Sequence, residues 1–350
     1  MIRPGLLRAA PLLLAGSAAL AVPSFEEVRA AHAPSDVSLL DRHGVTLQTV
    51  RIDARVRRGP WVTLADISPA LRQAIVLGED RRFWDHGGVD WRSLAASAWA
   101  NAFNTRTRGA STLTMQLAGL TDEQLARPSG GRSLAAKLSQ MHRAQELESR
   151  WTKSQILEAY LNRVPLRGEL VGVAAASNLL FGKQASGLDR VEAALLAAMV
   201  RAPNADPPRI ERRACDLLRQ QGQGCEGLAT TLALALARRP GALFGDGSEP
   251  LAPHLAARAA AALARKPGKG GDALRTTLDA RVQRLALAAL KRQLAELRGH
   301  AVEDGAVVVL DNASGDVLAW VGSSGELSAA TEVDAVLARR QTGSAIKPFV

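Results

Sequence analysis

Between Ser68 and about residue 225 the apolar residues recur at intervals of three and four, the spacing that puts one buried stripe on an α-helix. Ser68-Pro69 offers an N-cap and a first-turn proline for a helix through LRQAIVLGEDRRF, with Leu71, Ala74, Ile75 and Leu77 on its apolar side. Further helices are expected over SLAAKLSQMHRAQELESRW, TKSQILEAYLN and DRVEAALLAAMVRA, separated by the glycine- and proline-bearing joints RPSGGR and VPLRGEL. Such a run folds as a mainly helical domain. On either side the period changes. Upstream, SLLDRHGVTLQTVRI alternates about His43-Gly44 and reads as a β-hairpin. Downstream, TTLDARVQRLALAALKRQLAEL is an amphipathic helix, followed by GAVVVLDNASGDVLAWVGSS, two strands about a turn at Ser314-Gly315. The expected organisation is a leader (1–25), a hairpin lead-in (36–64), a helical domain (65–225), a helical and flexible connector rich in Ala, Arg, Gly and Pro (226–272), and an α/β segment (273–350).

The formal charge of +10 suits a phosphate-bearing partner such as an anionic membrane surface or a phosphorylated substrate. Aromatics make up only 4% of the chain and interleave with no basic run, which argues against nucleic acid. Arg3 and Arg8 precede an uncharged stretch from Ala9 to Val22, the layout of an export signal. As helix that stretch covers about 21 Å, short of the ~30 Å hydrocarbon layer unless Leu6, Leu7 and Phe25 extend it. Ala19-Leu20-Ala21 is similar to a signal-peptidase site, so a cleaved signal and a retained anchor both stand. Cys215 and Cys225, the only cysteines, match no zinc spacing; outside the cytoplasm they form either a small-loop disulfide or two free thiols.

Three strings carry chemistry. GEDRRFWDHGGVD (78–90) places Glu79 where a helix runs out into a glycine loop, so that the acid can face a cleft, although arginine and glycine are also ordinary at helix ends. GASTLTMQL (109–117) gathers small hydroxyl residues and an amide suited to sugar or phosphate oxygens. Lys153-x-x-Ile156-Leu157-Glu158-x-Tyr160-Leu161-Asn162 puts Glu158 and Asn162 four apart on one helix face, an arrangement equally typical of a structural clamp. In this order and spacing the three strings resemble the family 51 peptidoglycan glycosyltransferases, the polymerase domain of class A penicillin-binding proteins. The likeness spans about residues 65–210. It implies a lysozyme-like, mainly α glycosyltransferase domain followed by the α/β start of an incomplete penicillin-binding transpeptidase domain.

The resemblance implies a substrate, lipid II, that is a disaccharide-peptide on a lipid pyrophosphate, joined to a growing glycan strand with inversion. Glu79 aligns with the family's catalytic base. Asp80, Phe83 and His86 match the rest of its motif, Thr112 and Gln116 match substrate-contacting positions, and Lys137 matches a lysine facing the pyrophosphate. Glu158 and Asn162 match the fourth motif. Gln140 stands where most members carry a second glutamate, Ala136 replaces a family arginine, and Gly119 replaces a basic residue. Met115 and Gln140 are usual in the 1C branch of these proteins; Gly119 is not explained by it, and Arg106, Arg108 or Arg143 are candidates to stand in. At the end of the chain, Ser344-x-x-Lys347 followed by Pro-Phe is the penicillin-binding nucleophile motif, with Lys347 one helical turn from the Ser344 hydroxyl. Without downstream S-x-N and K-T-G elements, no acylation is expected of these 350 residues. The resemblance fixes no cofactor; a divalent cation such as Mg is compatible, and no metal ligand set is assigned. The implied setting is the inner membrane, single-pass, with the catalytic domains in the periplasm and other cell-wall synthesis proteins as further partners. Two rival readings stay open: a lytic transglycosylase or muramidase, which also uses a lone glutamate, and a weakly active scaffold that binds lipid II.

Overall fold

The computed structural model describes residues 22–102, 111–121, 134–238, 250–264, 273–297, 299–300 and 302–339. The short helix α1 (Phe25–Ala30) opens on a capping box, in which Ser24 Oγ accepts from Glu27 N and the Glu27 carboxylate accepts from Ser24 N. Phe25 then meets Trp61 and Trp151 edge-on, with ring centroids 5.9 and 5.5 Å away, which docks α1 onto the main core.

The hairpin forms as the alternation predicts, from β1 (Asp36–Leu40) and β2 (Thr46–Arg51). Gly44 turns the chain at φ 89°, and Asp41 Oδ1 accepts from both His43 N and Val45 N. Two short strands, β3 (Arg57–Arg58) and β4 (Leu170–Val171), pair in parallel. A distant strand, β5 (Ala273–Arg275), adds in parallel to β1, giving the order β2-β1-β5. The hairpin therefore shares a small core with the C-terminal segment: Leu39 and Leu47 pack with Leu251, Ala256 and Leu278.

The main core is helical. It is built from α2 (Pro69–Glu79), α4 (Leu113–Thr121), α6 (Lys153–Arg163), α7 (Val173–Ala176, continuing into a π turn over Ser177–Phe181), α8 (Arg190–Arg201), α9 (Pro207–Gln220) and α10 (Leu228–Ala237). Helices α3 (Trp91–Ala102) and α5 (Leu134–Arg150) flank it. Every residue of α8 from Glu192 to Val200 is buried, so this helix is central, with α2 and α9 against it. Each fully buried Leu or Ile there contributes about 1.5–3 kcal/mol of apolar burial. Helix α2 starts at Pro69 as expected, but the Ser68 hydroxyl caps nothing; it donates 2.7 Å across the core to the Leu188 carbonyl. Helix α10 adds Leu228, Leu232 and Ala235 to the main core.

C-terminal to these, α11 (Pro253–Ala264) lies on β2, and α12 (Ala280–Glu296) packs on a second hairpin, β6 (Val307–Leu310) and β7 (Val317–Val321), which turns at Gly315 with φ 76°. Gln283 of α12, fully buried, ties the pieces together by donating to the Leu251 and Trp320 carbonyls and accepting from Trp320 N.

Candidate active site

Helix α2 stops at Glu79 because Asp80 leaves the helical region at φ −157°, ψ 79°. Glu79 is half-buried at this end, facing α4. Gln116 of α4 donates from Nε2 to Glu79 Oε2 at 3.0 Å, and the Tyr160 hydroxyl of α6 donates to Gln116 Oε1 at 2.9 Å. The tyrosine thereby orients the amide, so that its NH₂ end meets the carboxylate. The other carboxylate oxygen, Oε1, is buried and has no hydrogen-bond partner among the described residues. A carboxylate fixed through one oxygen, with the second left to accept a proton, is the arrangement a general base needs.

The loop after Glu79 is pinned at several points. Asp80, 7% exposed, accepts from His86 Nε2 at 3.1 Å to both oxygens and from Leu113 N at 3.0 Å, where α4 begins. Thr112 caps α4, its Oγ1 accepting from Met115 N at 3.1 Å while donating to the Gly88 carbonyl at 2.5 Å. Gly88 has φ 87°, and a Cβ there would stand 2.7 Å from the Ala144 carbonyl oxygen of α5, so no other residue lets the loop approach so closely. Lys153 of α6 donates to the His86 carbonyl, pairs with Glu148 at 2.7 Å and lies 4.5 Å over the buried Phe83 ring. At the loop's far end Asp90 caps α3 through Arg92 N and Ser93 N and receives Arg82 at 3.4 Å. Burial pushes the Asp90 carboxyl up, but the Ser93 hydroxyl and backbone N–H, then Arg82, outweigh it and hold it below its ordinary value.

Of the residues singled out in the sequence, Glu79, Asp80, Phe83, His86, Thr112 and Gln116 thus converge on one junction of α2, α4 and the 80–90 loop. Gln140, Glu158 and Asn162 are engaged elsewhere. Gln140 is 1% exposed and donates from Nε2 to the Met115 carbonyl, binding α5 to α4. Glu158 accepts from Trp61 Nε1 and Leu64 N, both at 2.7 Å, and Asn162 pairs with the backbone of Val62 in both directions, at 2.8 Å each way. These two residues clamp the 61–64 segment to α6. Lys137 is half-buried in the first turn of α5. Ser344, Lys347, Arg106 and Arg108 lie outside the described residues. Arg143 pairs with Glu146 at 3.1 Å. Asp80, the acid beside Glu79, spends its carboxylate on His86 and Leu113. Among the described residues no three His, Cys, Asp or Glu side chains converge as a metal site.

Three contributors were not evident from the sequence. Tyr160 and Lys153 stood inside the third string without an assigned role. Arg213 of α9 interacts electrostatically with Glu79: burial, then the like charges of Arg209 and Arg201, hold its guanidinium below its ordinary value, while Glu79 acts in the opposite sense. Its Nη1 is buried without a hydrogen-bond partner among the described residues. Leu217, one turn on, packs where a Gly78 Cβ would stand 3.4 Å away, so α9 backs the end of α2 that carries Glu79. The disulfide Cys215–Cys225 joins this half of α9 to the turn that precedes α10, resolving the two alternatives for the cysteines.

A transglycosylase family model matches residues 43–221, and that span contains every element of this junction. The chain belongs to the transglycosylase family. This transglycosylase chain is 34% identical over 309 residues to penicillin-binding protein 1C of Escherichia coli, covering 83% of this chain and 37% of the relative. It is 37% identical over 168 residues to a biosynthetic peptidoglycan transglycosylase of Aeromonas hydrophila, covering 47% of this chain and 69% of the relative. To the protein of the same name in Rhodospirillum centenum it is 36% identical over 200 residues, 57% of this chain and 81% of the relative. The chain thus spans little more than a third of the length of penicillin-binding protein 1C and most of the length of these two biosynthetic peptidoglycan transglycosylases.

Proposed function

We propose that this transglycosylase polymerises lipid II into glycan strands, with Glu79 taking the proton from the acceptor sugar hydroxyl as that oxygen displaces the lipid pyrophosphate with inversion. The observation that carries the reading is the Glu79 carboxylate held through Oε2 by Gln116, with Oε1 unengaged. Proton removal by a placed carboxylate is worth about 10²–10⁴ in rate. The leaving pyrophosphate needs cations; Lys137 at the start of α5 and Arg213 beside Glu79 are the side chains we assign to it, Lys137 as a mobile point charge and Arg213 as a planar fork. His86 and Asp80 hold the loop that presents Glu79.

The setting follows from the same reading. A substrate carried on a lipid has to be met at the membrane, and we place the chain at the inner membrane with its domains in the periplasm. Residues 1–21 of the leader lie outside the described residues, whereas Val22 and Phe25 are buried in the main core and Phe25 heads α1. The leader and the disulfide both support export. Among the described residues no helix is long and apolar enough to cross a membrane. Trp91 and Trp99 of α3, 58% and 72% exposed, suit the headgroup layer, where indoles are favoured. Other cell-wall synthesis proteins are the further partners this placement makes available.

Labelled lipid II incubated with the purified chain tests the reading. Glycan polymer with release of lipid pyrophosphate is the expected outcome. Cleavage of preformed glycan without polymerisation would mark a lytic enzyme, and binding without either product a scaffold; each contradicts the proposal.

A further inference from the structure

We infer that a groove on the outer face of α2 binds an anionic, N-acetylated glycan at a place separate from Glu79. The groove encloses about 530 Å³ between α2, the first turn of α6, the turn after α2 and the end of α9. That volume lies within the range of small-ligand sites. Its α2 residues, among them Arg72 and Val76, point away from the buried stripe of Leu71, Ala74 and Ile75, whereas Glu79 turns sideways to α4. Neither Glu79 nor Gln116 lines it.

The chemistry of the lining selects the ligand. The lining includes apolar Leu64, Val76, Leu77 and Leu157, and Trp84, 54% exposed, is set edge-on against the buried Phe83 ring at 5.0 Å, which makes it a fixed platform for the C–H face of a pyranose. Gln73, Gln220 and Gln221 supply planar amides that match acetamido and hydroxyl groups. Two guanidiniums, Arg72 and Arg81, line the groove and no carboxylate does. Arg81 donates to Gln220, whereas Arg72 Nε is buried without a hydrogen-bond partner among the described residues. A neutral sugar would leave Arg72 unmatched, and a purely acidic peptide would make no use of the indole face. A sugar bearing a carboxylate satisfies both. Under the proposed function, on which the choice of sugar rests, the product strand carries such groups on its stem peptides, and the groove would hold that strand as it leaves the site.

Isothermal titration of the full chain with a soluble probe tests this: the disaccharide N-acetylglucosaminyl-N-acetylmuramyl-tetrapeptide with free carboxylates. Saturable binding is expected, weakened at least fivefold by Trp84→Ala and by Arg72→Gln in chains whose melting temperature is unchanged. Neutral chitotetraose should bind at least fivefold more weakly than the probe. Equal binding by both variants, equal binding of chitotetraose, or equal binding of the acidic tetrapeptide alone would overturn the inference. Because the titration reads no turnover, a chain that binds the probe in this way but makes no polymer would sink the glycosyltransferase reading and leave the groove standing.

Discussion

Tyr160 reaches Glu79 through Gln116: its hydroxyl donates to Gln116 Oε1 at 2.9 Å, and the same amide donates onward to Glu79 Oε2 at 3.0 Å. The tyrosine fixes which end of the amide meets the carboxylate, and so acts as a positioning residue. Tyr160→Phe keeps the ring in the core but leaves Gln116 Oε1 unmatched, at a cost of about 1 kcal/mol in stability. The rate of lipid II polymerisation should fall severalfold with little change in KM. A change in KM with kcat untouched would place the tyrosine in substrate binding instead.

Gln140 is a neutral side chain buried against the Met115 carbonyl, so it is expected to matter for packing rather than chemistry. Gln140→Ala should lower stability by about 1–3 kcal/mol, through an unmatched carbonyl and a small void. Its effect on polymerisation, measured well below the melting temperature, should be far smaller than that of Glu79→Gln. Equal losses would mean that the acid had been misassigned.

The helices were legible because their buried stripes are long and regular; Leu71, Ala74 and Ile75 mark α2 before any coordinates are known. The hairpin was legible for the same reason, but its third strand was not, since β5 lies more than two hundred residues away and only three residues of it pair with β1. Glu79 and Gln116 stood out through their motifs, and the bond between them needed the fold. Arg213 was hidden among Arg209, Arg212 and Arg219 on one amphipathic helix; nothing local tells which arginine turns inward. Glu158 and Asn162 illustrate the reverse case, a polar pair of functional appearance spent on holding residues 61–64.

The disulfide closes a loop of about ten residues, which corresponds to roughly 2–3 kcal/mol in the chain-entropy account. Replacing both cysteines by serine should lower the melting temperature accordingly. Because α9 backs Gly78 and carries Arg213, polymerisation should also fall in the variant at temperatures where it remains folded. An unchanged melting temperature would show that the bond adds no stability.

Asp304 supplies a pH test for the C-terminal unit. Burial pushes its carboxyl up, but Ser324 N–H, the Ser328 hydroxyl, Gly305 N–H and the Ser323 hydroxyl overcome this and lower it to about 2. The unfolded value is near 3.9. A depressed carboxylate stabilises the fold above the unfolded value, and that contribution disappears as pH falls from about 4 to about 2. Wild type and Asp304→Asn should therefore differ most in stability above pH 4 and converge by pH 2, as followed by tryptophan fluorescence. A difference that stays constant across this window would contradict the assignment.

The most direct test of the account is the initial rate of lipid II polymerisation by wild type and by Glu79→Gln, with folding checked by melting temperature. The amide keeps the shape of the side chain and can still meet Gln116, but it cannot accept the acceptor's proton. The account predicts an intact fold and a rate at least about a hundredfold lower. A folded Glu79→Gln chain that polymerises at close to the wild-type rate would contradict it.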